Sequence, residues 1–259
     1  MLFDVVSSNK LDREQDSFRL MMLLSVNPAI RKEMLTRVSH IHLKSLKDRI
    51  MEGLATSGNE LCAEISDVLK AEESITTQRD LIHLLAMIGS DQSYEIIAAK
   101  VESASIELKM IILEALSKKQ TEYAVTAYLK TLTDDNENVR LKTLEYLTLY
   151  NDLKVLNKVN DTVSENSFHE RSLDEKRQCL MIIANNSSDL KKSYLYEIVE
   201  HFSLLKNRKF VETQAAAAMT LGILGDPKHK PFLQKHYKRL TAPKALKEAC
   251  KYSLELLSR

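Results

Sequence analysis

Tryptophan is absent, and glycine occurs only five times and proline four times in 259 residues. Average usage would put these two turn formers together at roughly 12% of a chain. So few of them exclude a sandwich, a barrel or any fold built on many tight β-turns. Net charge is also nearly absent, with 37 basic against 36 acidic residues. Apolar residues make up 44%, enough for a core and too many for a disordered chain. The three cysteines, Cys62, Cys179 and Cys250, are odd in number and far apart. They read as reduced core residues of a cytosolic protein rather than as a disulfide framework or a catalytic pair. Met1 to Val6 lacks the basic and long apolar regions of a signal peptide. The apolar run Leu20 to Leu24 falls far short of the roughly 18–20 residues that span a bilayer. A cytoplasmic location is the expectation, although a chain lacking an export or anchoring segment would look the same.

What is present is helical periodicity. Leu81, Leu85 and Ile88 fall at i, i+4, i+7, as do Leu108, Ile112, Ala115 and Leu116 on one stripe. Leu180, Ile183 and Ala184, and Leu246, Cys250, Leu254 and Leu257, do the same. No stretch alternates convincingly as a strand does, and no Asn-Gly or Asp-Gly marks a hairpin. Thr77 with Asp80 and Ser172 with Glu175 have capping-box spacing. Pro227 and Pro243 suit first helical positions. Pro28 is expected to separate an opening helix, about Asp12 to Val26, from a longer one, about Ala29 to Leu54.

The segments also repeat. Blocks starting near Gln78, Glu107, Asn138, Glu175, Thr213 and Leu246 each open a helix of similar apolar spacing. A two-helix unit recurring every 20–50 residues predicts an α-solenoid. The segment from Asp134 to Leu147, with Asp134, Val139 and Arg140, resembles the inter-helix turn and second helix of a HEAT repeat. Ala215 to Pro227, ending in Gly225-Asp226-Pro227, resembles the variant of phycobilin-lyase-type repeats. The resemblance covers roughly residues 75–259. It implies an all-α, right-handed α-solenoid of HEAT-like helix pairs over 75–259, preceded over 1–74 by an N-terminal helical cap or degenerate repeats. Structural roles suit these residues: Asp134 or Asp135 can accept from helix-start N–H groups, and Arg140 can link neighbouring turns. Ala215 to Ala218 allow close helix approach, and Gly222 and Gly225 permit a tight exit.

Chemistry is harder to find. Cys-x-x-Cys, Gly-x-Gly-x-x-Gly, the phosphate loop and the Gly-x-Ser-x-Gly elbow are all missing. His40 and His42 point to opposite sides of a helix. His229 and His236 share a face only on a continuous helix, among lysines that would repel a cation. The reading is therefore no catalytic residue, no metal and no cofactor.

Charge is instead segregated. Lys206 to Arg259 holds 12 basic and 4 acidic residues, a net of +8, against −7 for residues 1–205. Lys228, Lys230, Lys235, Lys238, Arg239, Lys244, Lys247 and Lys251 form the basic track. With Tyr146 and Tyr150, four apart on a second helix, they are the candidate partner-binding residues; solvated basic ends and core tyrosines are the plainer alternative. The function expected is a non-enzymatic protein–protein interaction scaffold or adaptor that holds a partner protein with an acidic surface. The alternative is a nucleic-acid-binding relative of alkylpurine DNA glycosylases, which the lack of tryptophan and of a long basic track disfavours. A bilin-attachment role is a third, suggested only by Gly225-Asp226-Pro227.

Overall fold

The computed structural model describes residues 27–42, 44–185, 189–201 and 208–258. Fourteen α-helices and four short 3-10 turns lie among them, with no strand among the described residues. The fold is all-α. The chain forms two compact units, Met1–Thr131 and Leu132–Arg259.

The first unit carries α1 (Pro28–Arg37), α2 (Lys44–Ala55), α3 (Asn59–Ala71), α4 (Ile75–Ile88), α5 (Asp91–Lys100), α6 (Ile106–Ser117) and α7 (Glu122–Thr131). Odd helices stack on odd ones, α1 on α3 on α5 on α7, and α2, α4 and α6 stack as a second row. From α3 onward, successive helices pack across the two rows. Each helix buries its apolar stripe against such neighbours, which is the logic of a helix-pair repeat. Leu81, Leu84, Leu85, Ile97, Ile112 and Leu116 are fully buried. Tyr128 is buried too, and its hydroxyl donates to the Leu113 carbonyl at 3.3 Å.

The second unit carries α8 (Glu137–Leu147), α9 (Leu153–Ser164), α10 (Leu173–Asn185), α11 (Asp189–Glu200), α12 (Arg208–Ile223), α13 (Lys230–Lys238) and α14 (Lys244–Leu256). Helices α8, α10, α12 and α14 form one row, with α9, α11 and α13 packed beside it. The six blocks read from the sequence correspond to α4, α6, α8, α10, α12 and α14, one row of each unit. Arg140 of α8 ties this row together. Its guanidinium donates to Glu175 of α10 at 2.6 and 3.0 Å and to the Asp134 and Asp135 carbonyls at 2.7 and 2.9 Å. Val139, beside it in sequence, is fully buried.

Local signals govern the helix ends. Ser172 and Glu175 form a reciprocal capping box, each side chain accepting from the other's backbone N–H at 3.3 Å. Gly225 turns the chain out of α12 at φ +72°, and the Asp226 carboxylate caps the 3-10 turn Pro227–His229. Several expectations need correction. The long helix over 29–54 is broken at the 3-10 turn Val38–His40, because the bend lets Val38 and Ile41 both enter the core. The opening helix over 12–26 lies outside the described residues. Ser74, not Thr77, caps α4; Thr77 is buried and meets the Ser39 hydroxyl at 2.8 Å, and Asp80 pairs with Lys47. Asn136, not either aspartate, caps α8, while Asp134 accepts from the Asn136 N–H at 2.9 Å. Pro243 is the N-cap of α14 rather than its first helical residue. Gly222 does not form an exit. It lies inside α12, where a Cβ would come within 2.5 Å of Ser253 on α14.

Candidate functional site

Four of the seven histidines lie in the second unit: His169 on the 3-10 turn Asn166–Glu170, His201 just after α11, His229 on the turn Pro227–His229 and His236 on α13. The seam begins at the 3-10 turn Asn166–Glu170, where buried Phe168 anchors the turn and sets His169 beside α12. His169 Nδ1 lies 3.0 Å from the Thr213 hydroxyl, which also reaches the Lys209 carbonyl at 3.2 Å. A hydroxyl has one proton. When Thr213 gives it to Lys209, His169 donates from Nδ1 and keeps Nε2 as an acceptor. The Phe210 ring meets His169 edge-on at 5.3 Å on one side and His201 at 5.2 Å on the other.

His201 is held by Gln214. The Gln214 amide donates to the last carbonyls of α11, at 3.0 Å to Val199 and 2.8 Å to His201. These carbonyls have no partner within the helix, so one buried amide fixes where α11 ends. Farther along, Tyr196 Oη meets His229 Nδ1 at 2.5 Å, and the Tyr196 ring packs on Phe232 at 4.3 Å. Phe232 continues to His236 at 4.6 Å. Glu200 pairs with Lys235 at 3.0 Å and stands 3.8 Å from His236 Nε2.

These groups border two depressions. The larger is a recess of about 630 Å³, walled by Phe168, His169, Tyr194, Glu197, His201 and Phe210, with Val163, Ser164, Ile198, Glu200 and Thr213 completing it. The smaller holds about 50 Å³ and lies among Glu200, His201, Gln214, His236, Arg239 and Thr241. Among the described residues, no group of three or more histidines, cysteines or carboxylates is placed to hold a metal ion. The cysteines are all buried and unbridged, and burial pushes the Cys179 and Cys250 thiols up to about 12. They are inert as nucleophiles.

Burial holds His169 below the ordinary histidine value of 6.5, helped by Lys176 and His201 and opposed by Glu170. Burial likewise lowers His83 and His236. A histidine depressed in the folded state binds its proton better when the chain unfolds. Its contribution is therefore complete above 6.5 and is lost as pH falls below it. The melting temperature is expected to fall between pH 7.5 and 5.5, and differential scanning calorimetry in buffers of matched ionic strength reads this directly. A melting temperature that held constant or rose on acidification would contradict the burial of these rings.

The candidate residues from the sequence lie mostly outside this seam. Lys228, Lys230, Lys235, Lys238, Arg239, Lys244, Lys247 and Lys251 fall on the hairpin formed by the Pro227–His229 turn, α13 and α14. Lys228 pairs with Asp226 at 3.0 Å, Lys235 with Glu200, and Lys244 reaches Glu248 at 3.7 Å. Tyr146 is buried in α8 with Lys142 over its ring at 4.7 Å. Tyr150 is half-buried beyond the end of that helix, so the two do not form an exposed stripe. Sequence reasoning missed His169, Tyr194, His201, Phe210 and Gln214. Only folding joins them, and no spacing along the chain marks the set.

No family model matches the chain, and no curated protein matches it. Among solved structures, the chain is similar to human deoxyhypusine hydroxylase in complex with glycerol, at 14% identity and a TM-score of 0.36. The match covers 98% of this chain and 95% of that one. The expectation of a non-enzymatic scaffold or adaptor finds no support in this match, whose protein is an enzyme. Stacked helix pairs give no ground for excluding turnover. The nucleic-acid alternative gains no support from it either. At this level of similarity the match assigns neither a family nor an activity, and the all-α fold rests on the helices of the chain itself.

Proposed function

We propose that the second unit binds a small organic cation with an aromatic or alkyl body, in the recess between His169, Tyr194, Glu197 and Phe210. The observation that carries this is the make-up of the wall. It holds two carboxylates, Glu197 and Glu200, three aromatic rings, Phe168, Tyr194 and Phe210, and, among the described residues, no lysine or arginine. A recess of about 630 Å³ falls within the roughly 300–1,000 Å³ of small-molecule sites. Aromatic faces attract an ammonium group through their quadrupole, and a carboxylate nearby fixes its position. Glu200 already serves Lys235, whereas among the described residues no cation lies within ion-pairing distance of Glu197. Glu197 is thus the carboxylate that receives the ligand. Burial disfavours the charged form of His169, so it opposes a cation less than an exposed histidine would.

Isothermal titration of the full chain with 2-phenylethylammonium tests the reading against two isosteres, 2-phenylethanol and phenylacetate. The ammonium compound is expected to bind at least tenfold more tightly than the alcohol, a difference of about 1.4 kcal/mol. Phenylacetate is expected not to bind. Glu197→Gln is expected to remove the preference without lowering the melting temperature, because Glu197 is exposed. Equal binding of the alcohol or the acid, or full retention of the preference in the variant, would overturn the proposal.

A further inference from the structure

The hairpin α13–α14 ends in a tip whose chemistry the recess does not use. Between the two helices, the loop from Arg239 to Pro243 carries Leu240 at its apex, 93% exposed. No other large apolar side chain among the described residues is so exposed. A solitary projecting leucine is ordinary on a protein surface. Its surroundings here are not.

Lys238 and Arg239 precede it, and Lys244 and Lys247 follow on the first turn of α14. Lys247 Nζ donates to the Leu240 carbonyl at 3.3 Å, and Arg239 Nε donates to the Thr241 hydroxyl at 3.1 Å. The two cations nearest the leucine therefore brace the loop that presents it. Among the described residues no carboxylate lies within ion-pairing distance of Lys238, Arg239 or Lys247, and Lys244 has only Glu248, at 3.7 Å. Residues 227–258 hold eight basic residues against two acidic ones, Glu248 and Glu255. Tyr237 and Tyr252, 42% and 45% exposed, stand on the two helices of the hairpin.

We infer that this tip docks the protein on an anionic lipid surface, with Leu240 entering the boundary between headgroups and acyl chains. Charge complementarity and shape both favour this occupant. A membrane offers a broad plane that a convex tip meets end-on, and apolar burial joins attraction to anionic headgroups in such peripheral contacts. Half-exposed tyrosines on both helices suit the headgroup layer, where an apolar ring and a wet hydroxyl are both satisfied.

Sedimentation of the full chain with vesicles tests this. The probes are phosphatidylcholine alone and phosphatidylcholine with phosphatidylserine. Binding is expected to the anionic vesicles only, and to fall as salt is raised. Each cation removed from the tip is expected to weaken binding roughly fivefold. Leu240→Glu is expected to weaken it at least tenfold, and Leu240→Trp to retain it with a blue-shifted fluorescence on binding. Leu240 is exposed, so neither variant disturbs the core; an unchanged melting temperature verifies this. Equal binding to neutral vesicles would overturn the inference. So would anionic binding that Leu240→Glu leaves intact, or tighter binding to polyglutamate or a short DNA duplex than to the vesicles.

Discussion

Replacing Glu175 with alanine is expected to lower the unfolding free energy by about 3–5 kcal/mol, the range for breaking a buried ion pair from one side. The Glu175 side chain has no exposure and Arg140 has 16%. Their contact is bidentate, at 2.6 and 3.0 Å, and Arg171 approaches the same carboxylate at 3.6 Å. Truncation would leave two guanidinium groups beside an empty place. It would also undo the capping box that starts α10. Burial pushes the Glu175 carboxyl up, but the hydrogen bond and charge of Arg140 and the Ser172 cap outweigh it and hold the group below its ordinary value of 4.5. The contribution is thus present above that value and lost as pH falls through the folded value. Denaturant unfolding at pH 7 measures the difference. Arg140→Lys is expected to recover little, since an ammonium cannot reproduce the planar fork that meets both carboxylate oxygens. A loss under about 1 kcal/mol for Glu175→Ala would mean that the pair behaves as an exposed one.

Gly222→Ala is expected to be destabilising although alanine is the better helix former by about 1 kcal/mol. At this position a Cβ would lie 2.5 Å from Ser253 Cβ and 2.6 Å from Ser253 Cα. The second atom is backbone, so no rotamer change relieves the clash, and α12 and α14 must move apart. Overpacking of this kind typically costs about 1–3 kcal/mol. Separation would also stretch the bond from the Ser253 hydroxyl to the Ala218 carbonyl, now 2.9 Å. Ser253→Gly in the same chain is expected to rescue only partly, because the Cα remains. Gly222→Val should be worse than alanine. A Gly222→Ala protein as stable as the parent would show that the two helices do not approach as closely as described.

The helices were legible because each buries one stripe, and a stripe at 3.6-residue spacing is written in consecutive residues such as Leu81, Leu85 and Ile88. The stacking rows were legible for the same reason, since each repeat meets its neighbour through the same positions. Helix ends were read less well. Ser74 precedes α4 by one residue, yet Thr77 and Asp80 show the same spacing rule three residues on, and only the fold reveals that both face α2 and the turn before it. Gly222 illustrates the opposite difficulty. In sequence it pairs naturally with Gly225 as a helix stop, while its reason for being glycine lies 31 residues away at Ser253. The seam was illegible altogether. His169, His201 and Phe210 meet through tertiary packing, with Gln214 fixing the end of α11, and no local periodicity encodes such a meeting.

The central claim is that the recess beside His169 and Phe210 is a site for an organic cation. A crystal structure of the full chain soaked with 2-phenylethylammonium tests it most directly. The expected density places the ammonium within hydrogen-bonding distance of the Glu197 carboxylate and the ring against Phe210 or Tyr194. A ligand seated elsewhere on the molecule, or held in the recess with its ammonium turned away from Glu197, would contradict the account.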